Sequence, residues 1–220
     1  MANKTALIIG ATGLVGEETL KQLLSSNQYD KVIALTRRPL DFKNARLEDP
    51  VVDFDKPGQY NKIKADDVYC AMGTTIGKAG SQAAFKRVDF EIPMQVAQAA
   101  LDNGASKFIL VSSMGADAKS QIFYSRTKGE LEQALSTLKY KAVLIFRPSI
   151  LLGDRKEHRT GEAIGRFAAE KLSFLFAGPL AKYKGTPAGL LARAMIKTAA
   201  ENVTGVQIIE NDKIFEIAAK

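Results

Sequence analysis

Short apolar runs, each closed off by breakers, recur along the chain: "TALIIG" (5–10), "KVIALT" (31–36), "PVVDF" (50–54), "DDVYCAMG" (66–73), "KFILVSS" (107–113), "YKAVLIFRP" (140–148) and "GVQIIE" (205–210). Most are rich in β-branched residues and apolar on both faces, which is the pattern of parallel strands buried between two layers of helices. Helical periodicity fills the gaps, over 14–26, part of 81–102, 122–138 and 187–201. Strand and helix in alternation require right-handed crossovers. The pattern therefore predicts an α/β fold, a doubly wound parallel sheet in the order 3-2-1-4-5-6, with 205–210 as a candidate extra edge strand.

Punctuation residues refine the boundaries. "DNG" (102–104) supplies a glycine stop, and "TP" (186–187) predicts Thr186 as an N-cap ahead of Pro187 at the first helical position. Pro93 falls inside a helical stretch, where it should kink the helix or mark a new start.

Composition bounds the rest. The chain has 220 residues, 46% of them hydrophobic, without internal repeats or linkers, so one domain over 1–220 is expected. A single cysteine, Cys70, excludes an internal disulfide, fits a reducing compartment and is read as packing. With a single histidine as well, His158, no metal site is expected. The net charge of +7 is spread along the chain apart from "TRRP" and "DRKEHR". That distribution favours a solvated basic surface, attractive to an anionic small ligand, over a nucleic-acid tract. "MANKTALIIGATG" is too short in its apolar run for a signal peptide, and no stretch approaches the ~20 apolar residues that cross a bilayer. A cytoplasmic chain with no membrane or nucleic-acid partner is expected.

The first strand runs into "GATGLVG", with Gly10, Gly13 and Gly16 spaced three apart. In a doubly wound sheet this turn faces the crevice where ligands bind. Gly10 lets the chain turn off the strand, Gly13 lets a pyrophosphate approach the backbone, and Gly16 lets the helix lie against the strand. The helix beginning near Leu14 then aims its free N–H groups at the phosphates. An NAD site places a carboxylate about 20 residues further on, at the ribose 2′-OH. Here Thr36 is followed by Arg37 and Arg38, which suit a 2′-phosphate, so NADP(H) is the expected cofactor. Asp53 has two readings: it contacts the adenine edge, or it ends a strand.

"FYSRTKGELEQAL" carries Tyr124 and Lys128, four apart at the start of a predicted helix and so on one face. A nearby ammonium stabilises a phenolate and draws a tyrosine pKa down from about 10. Such a tyrosine gives a proton to a carbonyl oxygen, or takes one from an alcohol, as hydride moves to or from nicotinamide. "ILVSSMG" ends a strand with two hydroxyls that could hold the substrate oxygen. Neighbouring strand residues face opposite ways, so only one of Ser112 and Ser113 enters the cleft; Ser113 is favoured.

Together "GATGLVG", "TRRP", "VVDF", "MGTTIGKAGS", "VDF", "VSSMGAD", "YSRTKGELE" and "FRPSILLGDRKEHRTGE" span about residues 5–165 in order. The chain resembles the atypical short-chain dehydrogenases/reductases of the Tat-interacting-protein type, small NADPH-binding oxidoreductases. The resemblance implies a Rossmann fold that binds NADP(H) through Thr12, Gly13, Leu14, Val15, Arg37 and Arg38, with backbone contacts from Met72 and Gly73. It further implies that Tyr124 and Lys128 meet the nicotinamide ribose, and that Leu151 and Arg159 approach from beyond strand six.

The reading is an NADPH-dependent oxidoreductase acting on a small carbonyl-like substrate, with Tyr124 as acid/base. Its alternative is an NADPH-binding regulator with little turnover that docks to a protein partner. A sugar-nucleotide epimerase is disfavoured, because that reaction is expected to need a larger substrate lobe after strand six. Segments 74–82 and 153–186 are expected to build the substrate side.

Overall fold

Along the first strand, side chains alternate between two cores: Ala6 and Ile8 face one, Leu7 and Ile9 the other. A computed structural model of the chain describes residues 4–153 and 183–220. Its strands are β1 (Thr5–Ile9), β2 (Lys31–Leu35), β3 (Leu47–Glu48), β4 (Asp67–Cys70), β5 (Lys107–Val111), β6 (Ala142–Arg147), the short β7 (Leu151–Leu152) and β8 (Thr186–Pro187), and β9 (Gly205–Glu210). The main sheet is seven-stranded and parallel, in the order β3-β2-β1-β4-β5-β6-β9. The expected order is thus present, with 205–210 added at the β6 edge.

Helices cover both faces. On one, α1 (Leu14–Ser25) contributes Leu20 and Leu23. Two C-terminal helices, α6 (Ala188–Ala200) and α7 (Asn211–Ala219), add Leu191, Met195 and Ile214 to the same core. The other face is closed by α4 (Ile92–Asp102) through Val96 and Ala97, and by α5 (Phe123–Ser136) through Leu131 and Leu135. Each such leucine stabilises the fold by ~1.5–3 kcal/mol through burial.

Three expectations need correction. The third strand is not 50–54: β3 pairs Val32 with Leu47 and Ile33 with Glu48, and only a single bridge, Thr36 to Val51, continues it. Pro50 has no N–H to give the ladder. Beyond it, Val52 and Phe54 face the core while Val51 and Asp53 are exposed. Thr186 does not cap α6. It lies in β8, buried, with its hydroxyl bonded to Asn211 Oδ1, and Pro187 occupies the N-cap. The helix α7 was not expected: it leaves β9 directly, and its buried positions, Asn211, Ile214 and Ala218, fall at helical spacing over only nine residues.

Pro93 marks a new start without breaking the chain's helical course. Short helices α2 (Ile76–Ala79) and α3 (Gln82–Lys86) lead into a π-helical turn, Arg87–Glu91, where the Ile92 N–H donates to the Arg87 carbonyl oxygen. Pro93 follows directly, inside a continuous helical run, because Glu91 and Ile92 both keep helical backbone angles; the missing N–H falls where the ladder changes from π to α.

Candidate functional site

The strands β1, β2, β4 and β5 end along one edge of the sheet, and the chain order reverses between β1 and β4. Two loops meet at that reversal, Gly10–Gly13 after β1 and Ala71–Thr74 after β4. Gly10 has φ +82°, and a Cβ on it would lie 2.5 Å from the Ala71 carbonyl carbon. Glycine is required there both for the left-handed backbone and for the close approach of the loops. A Cβ on Gly16 would lie 2.0 Å from the Gly10 carbonyl oxygen, so helix α1 can rest on the turn only with glycine at that position.

Gly13 differs. It is exposed, its φ is −83°, and a Cβ would meet only the Gly10 carbonyl oxygen, at 3.3 Å. Packing therefore asks less of Gly13 than of Gly10 or Gly16, although the Gly10 carbonyl oxygen would have to give by a few tenths of an ångström. Gly13 is the N-cap of α1, and no side chain caps that helix. The first-turn N–H groups around Leu14 and Val15 are left for a ligand. Exposed Thr12 precedes them.

Arg37 and Arg38 follow β2, both exposed, and neither guanidinium pairs with a carboxylate among the described residues. Beside them the buried Thr36 Oγ1 has no hydrogen-bond partner among the described residues. The Val52 N–H donates to the Thr36 carbonyl oxygen at 2.8 Å, which brings exposed Asp53 to the same end of the sheet. The Asp53 carboxylate accepts the Asp55 N–H at 3.0 Å and lies 3.4 Å from Lys56 Nζ. That backbone hydrogen bond, then Lys56, hold it below the usual carboxylate range. Asp53 organises a turn and does not end a strand.

Met72 and Gly73 follow β4. Behind Gly73 lies a fully buried ion pair, Lys128 Nζ to Asp89 Oδ1 at 2.7 Å. Asp89 belongs to the π-helical turn, and its other oxygen accepts the Thr74 N–H at 2.8 Å. A Cβ on Gly73 would lie 3.2 Å from Asp89 Oδ1 and 3.5 Å from Lys128 Nζ, so the loop lies directly against the pair. Burial alone would lower the Lys128 pKa; the Asp89 carboxylate, followed by Tyr124, outweighs it and holds the ammonium above its ordinary value. Tyr124 stands one turn earlier on α5, half-buried, with its ring 5.7 Å from that of Phe85. Lys128 thus serves a carboxylate as well as a phenol, a partner the sequence reading did not supply.

The two serines separate as alternation requires. Ser112 is buried and its hydroxyl donates to Glu132 Oε1 on α5. Glu132 in turn accepts from Arg147 Nη2 at 2.6 Å and Nε at 3.1 Å. Ser112 is therefore engaged in holding β5, β6 and α5 together. Ser113 is half-buried, and among the described residues its hydroxyl donates to the Met114 carbonyl oxygen alone, at 3.2 Å. Gly153, just beyond β7, lies against the start of α1, since a Cβ on it would stand 2.7 Å from Leu14 Cδ1, and Leu151 in β7 packs half-buried on the same core as Leu14. Arg159 and His158 lie outside the described residues, as does most of 153–186. Cys70 ends β4 fully buried, and burial pushes its thiol up to about 11. No group of three or more metal-ligating side chains occurs among the described residues.

The residues present fit a dinucleotide: a helix start with no side-chain cap, an exposed glycine at its N-cap, and two exposed guanidinium groups at the end of β2 without a carboxylate partner among the described residues. Residues 10–157 match the family model described as NAD(P)H-binding. Protein HTATIP2 of Rattus norvegicus is 35% identical over 223 residues, which cover 99% of this chain and 90% of that protein. The chain belongs to the NAD(P)H-binding family, among the atypical short-chain dehydrogenases/reductases.

Another relative is "Protein FMP52, mitochondrial" of Candida albicans, 40% identical over 169 residues, 74% of each chain. Among solved structures, the UDP-glucose 4-epimerase of Thermotoga maritima with UDP-glucose superposes with a TM-score of 0.71 at 14% identity, covering 97% of this chain and 81% of that one. MoeE5 in complex with UDP-glucose and NAD gives 0.68 at 16% identity, over 98% and 81%. These last two are likenesses of fold. No helix among the described residues is long and apolar enough to cross a membrane.

In this short-chain dehydrogenase/reductase, the sequence reading missed Asp89 and Glu132. Each is a buried carboxylate tied to a residue far along the chain. The one available signal for Asp89 was its place in "VDF", just before the helical stretch interrupted by Pro93.

Proposed function

We propose that the protein is an NADPH-dependent oxidoreductase that reduces a small carbonyl-like substrate. The observation that carries this is the pair Tyr124 and Lys128, one helical turn apart on α5, with the Lys128 ammonium behind Gly73 at the sheet's reversal point. Thr12 to Gly16 would cradle the pyrophosphate, Arg37 and Arg38 the 2′-phosphate, and Met72 and Gly73 would line the path towards the ribose. Asp53 would border the adenine, and Leu151 and Arg159 would close the cofactor from beyond β6.

When bound, the cofactor supplies the hydride. Ser113 would donate a hydrogen bond to the substrate oxygen and fix its position. Tyr124 would give its proton to that oxygen as negative charge develops on it. Lys128 would stabilise the tyrosinate left behind and hold the ribose. Segments 74–82 and 153–186 would shape the substrate side of a single domain.

The test is NADPH consumption against a panel of carbonyl compounds, with Tyr124→Phe alongside. Turnover abolished in the variant, with NADPH affinity retained, is expected; an unchanged rate would refute the role of Tyr124. Tight NADPH binding with no turnover on a broad panel would instead favour the regulator that docks to a protein partner. The free, buried Cys70 suits the cytoplasm. Cell fractionation distinguishes that compartment from the mitochondrion named for the FMP52 relatives.

A further inference from the structure

We propose that Asp89 is a positioning residue for cofactor binding: its carboxylate keeps the buried Lys128 charged and aims the ammonium at the Met72–Gly73 corner, where the ribose is to lie. The inference deepens the oxidoreductase reading and rests on it for the ligand, but not for the coupling of the two side chains.

Lys128 and Asp89 have side-chain exposures of 5% and 0%, so neither charge is dissolved in water. A lone buried ammonium is costly, and such a group ordinarily sheds its proton. Three titratable groups bear on Lys128: Asp89 from the π-helical turn, Tyr124 from its own helix, and Cys70 from the end of β4. The thiol, pushed up by burial, is neutral near pH 7, and a phenol contributes a charge only when ionised. The compensating charge is therefore that of Asp89.

The carboxylate is fixed from two sides, which makes it a positioning group as well as a counter-ion. Asp89 Oδ2 takes the Thr74 N–H at 2.8 Å, which fixes the carboxylate, and Oδ1 faces Lys128 Nζ at 2.7 Å as an ion pair, with no hydrogen bond to it among the described residues. One side chain thus ties the loop after β4 to helix α5. The π-helical turn carries Asp89 into this place, and such turns often mark functional sites. At Gly73 the loop backbone lies against the pair with no side chain between, a Cβ there falling 3.5 Å from Lys128 Nζ.

The consequence is a pH signature. In the parent protein Lys128 stays protonated through the neutral range and NADPH affinity is flat there. Asp89→Asn keeps the shape and removes the charge. Burial then dominates, and Lys128 loses its proton at clearly lower pH than in the parent.

The test uses full-length protein with lysine side chains isotopically labelled, the Lys128 resonance being assigned through Lys128→Met. Without cofactor, the Lys128 signal in Asp89→Asn is expected to titrate at clearly lower pH than the parent signal, which keeps its proton through the neutral range. With NADPH, calorimetry on Asp89→Asn should show affinity close to the parent's at the acid end. Above the new pKa it should weaken by up to roughly tenfold per pH unit. Affinity lowered equally at every pH, or an unshifted Lys128 signal, would overturn the proposal. If Asp89→Asn fails to fold, the double variant Asp89→Asn/Lys128→Met should restore a cooperative melt, because it removes both charges; a double variant no more stable than the single one would overturn it. A shifted Lys128 signal in a protein that turns over no carbonyl would sink the oxidoreductase reading and leave the Asp89–Lys128 coupling standing.

Discussion

A Cβ on Gly16 would stand 2.0 Å from the carbonyl oxygen of Gly10. The first helix and the first turn are fitted to each other at that point, whereas a Cβ on Gly13, between them, would come no closer than 3.3 Å to any other part of the protein. The three glycines of one motif therefore answer to different forces. Gly16→Ala should destabilise the fold by about 3 kcal/mol or more, at the upper end for overpacking. Gly13→Ala should cost about 1 kcal/mol or less, yet weaken NADPH binding about tenfold or more, because the methyl group enters the phosphate cradle. Thermal melts and calorimetry on both variants check this. Equal destabilisation by the two would contradict it.

The serines at the end of β5 divide in the same way. Ser112→Ala deprives Glu132 of a buried donor and should lower stability by about 1–2 kcal/mol while leaving turnover near the parent's. Ser113→Ala should change stability by about 0.5 kcal/mol or less and lower kcat/KM about a hundredfold, as expected for loss of one donor to a developing oxyanion. The reverse pattern would assign the substrate oxygen to Ser112.

How far the sequence carried the account depended on the range of the forces. The parallel sheet and the turn after β1 were legible because their determinants are local: runs apolar on both faces, and glycines whose spacing reflects backbone contact. Asp89 was not legible. In "KRVDFE" it is one charge among several, and what buries it is a π-helical turn and a lysine on another helix. Thr186 was misread for a similar reason: its hydroxyl prefers Asn211, 25 residues away, to the helix it precedes. The third strand was placed too late because "PVVDF" has the right composition, while Pro50 cannot continue the ladder.

Alkali should unfold the protein through its buried tyrosines. Tyr29, Tyr69 and Tyr140 are all raised well above the ordinary value, chiefly by burial, with neighbouring Asp67 adding to the first two and Asp102 to the third. A group whose folded pKa is raised contributes stability that is fully present below its unfolded pKa and is lost as pH rises past it. Stability should therefore hold to about pH 10 and fall above it, as the unfolded chain's tyrosines ionise and the folded ones cannot. Tyrosinate absorbance followed alongside circular dichroism is the check. Part of the absorbance change should appear only with loss of helix; complete ionisation in the folded protein would contradict the prediction.

The most direct test of the account is the affinity of the protein for NADPH and for NADH, measured by calorimetry on the parent chain and on Arg37→Ala/Arg38→Ala. Charge-assisted hydrogen bonds from either guanidinium to the 2′-phosphate should favour NADPH by about tenfold or more. The double variant should lose that preference by weakening NADPH alone, with NADH unchanged. Equal affinity for the two cofactors in the parent protein, or equal weakening of both in the variant, would contradict the account.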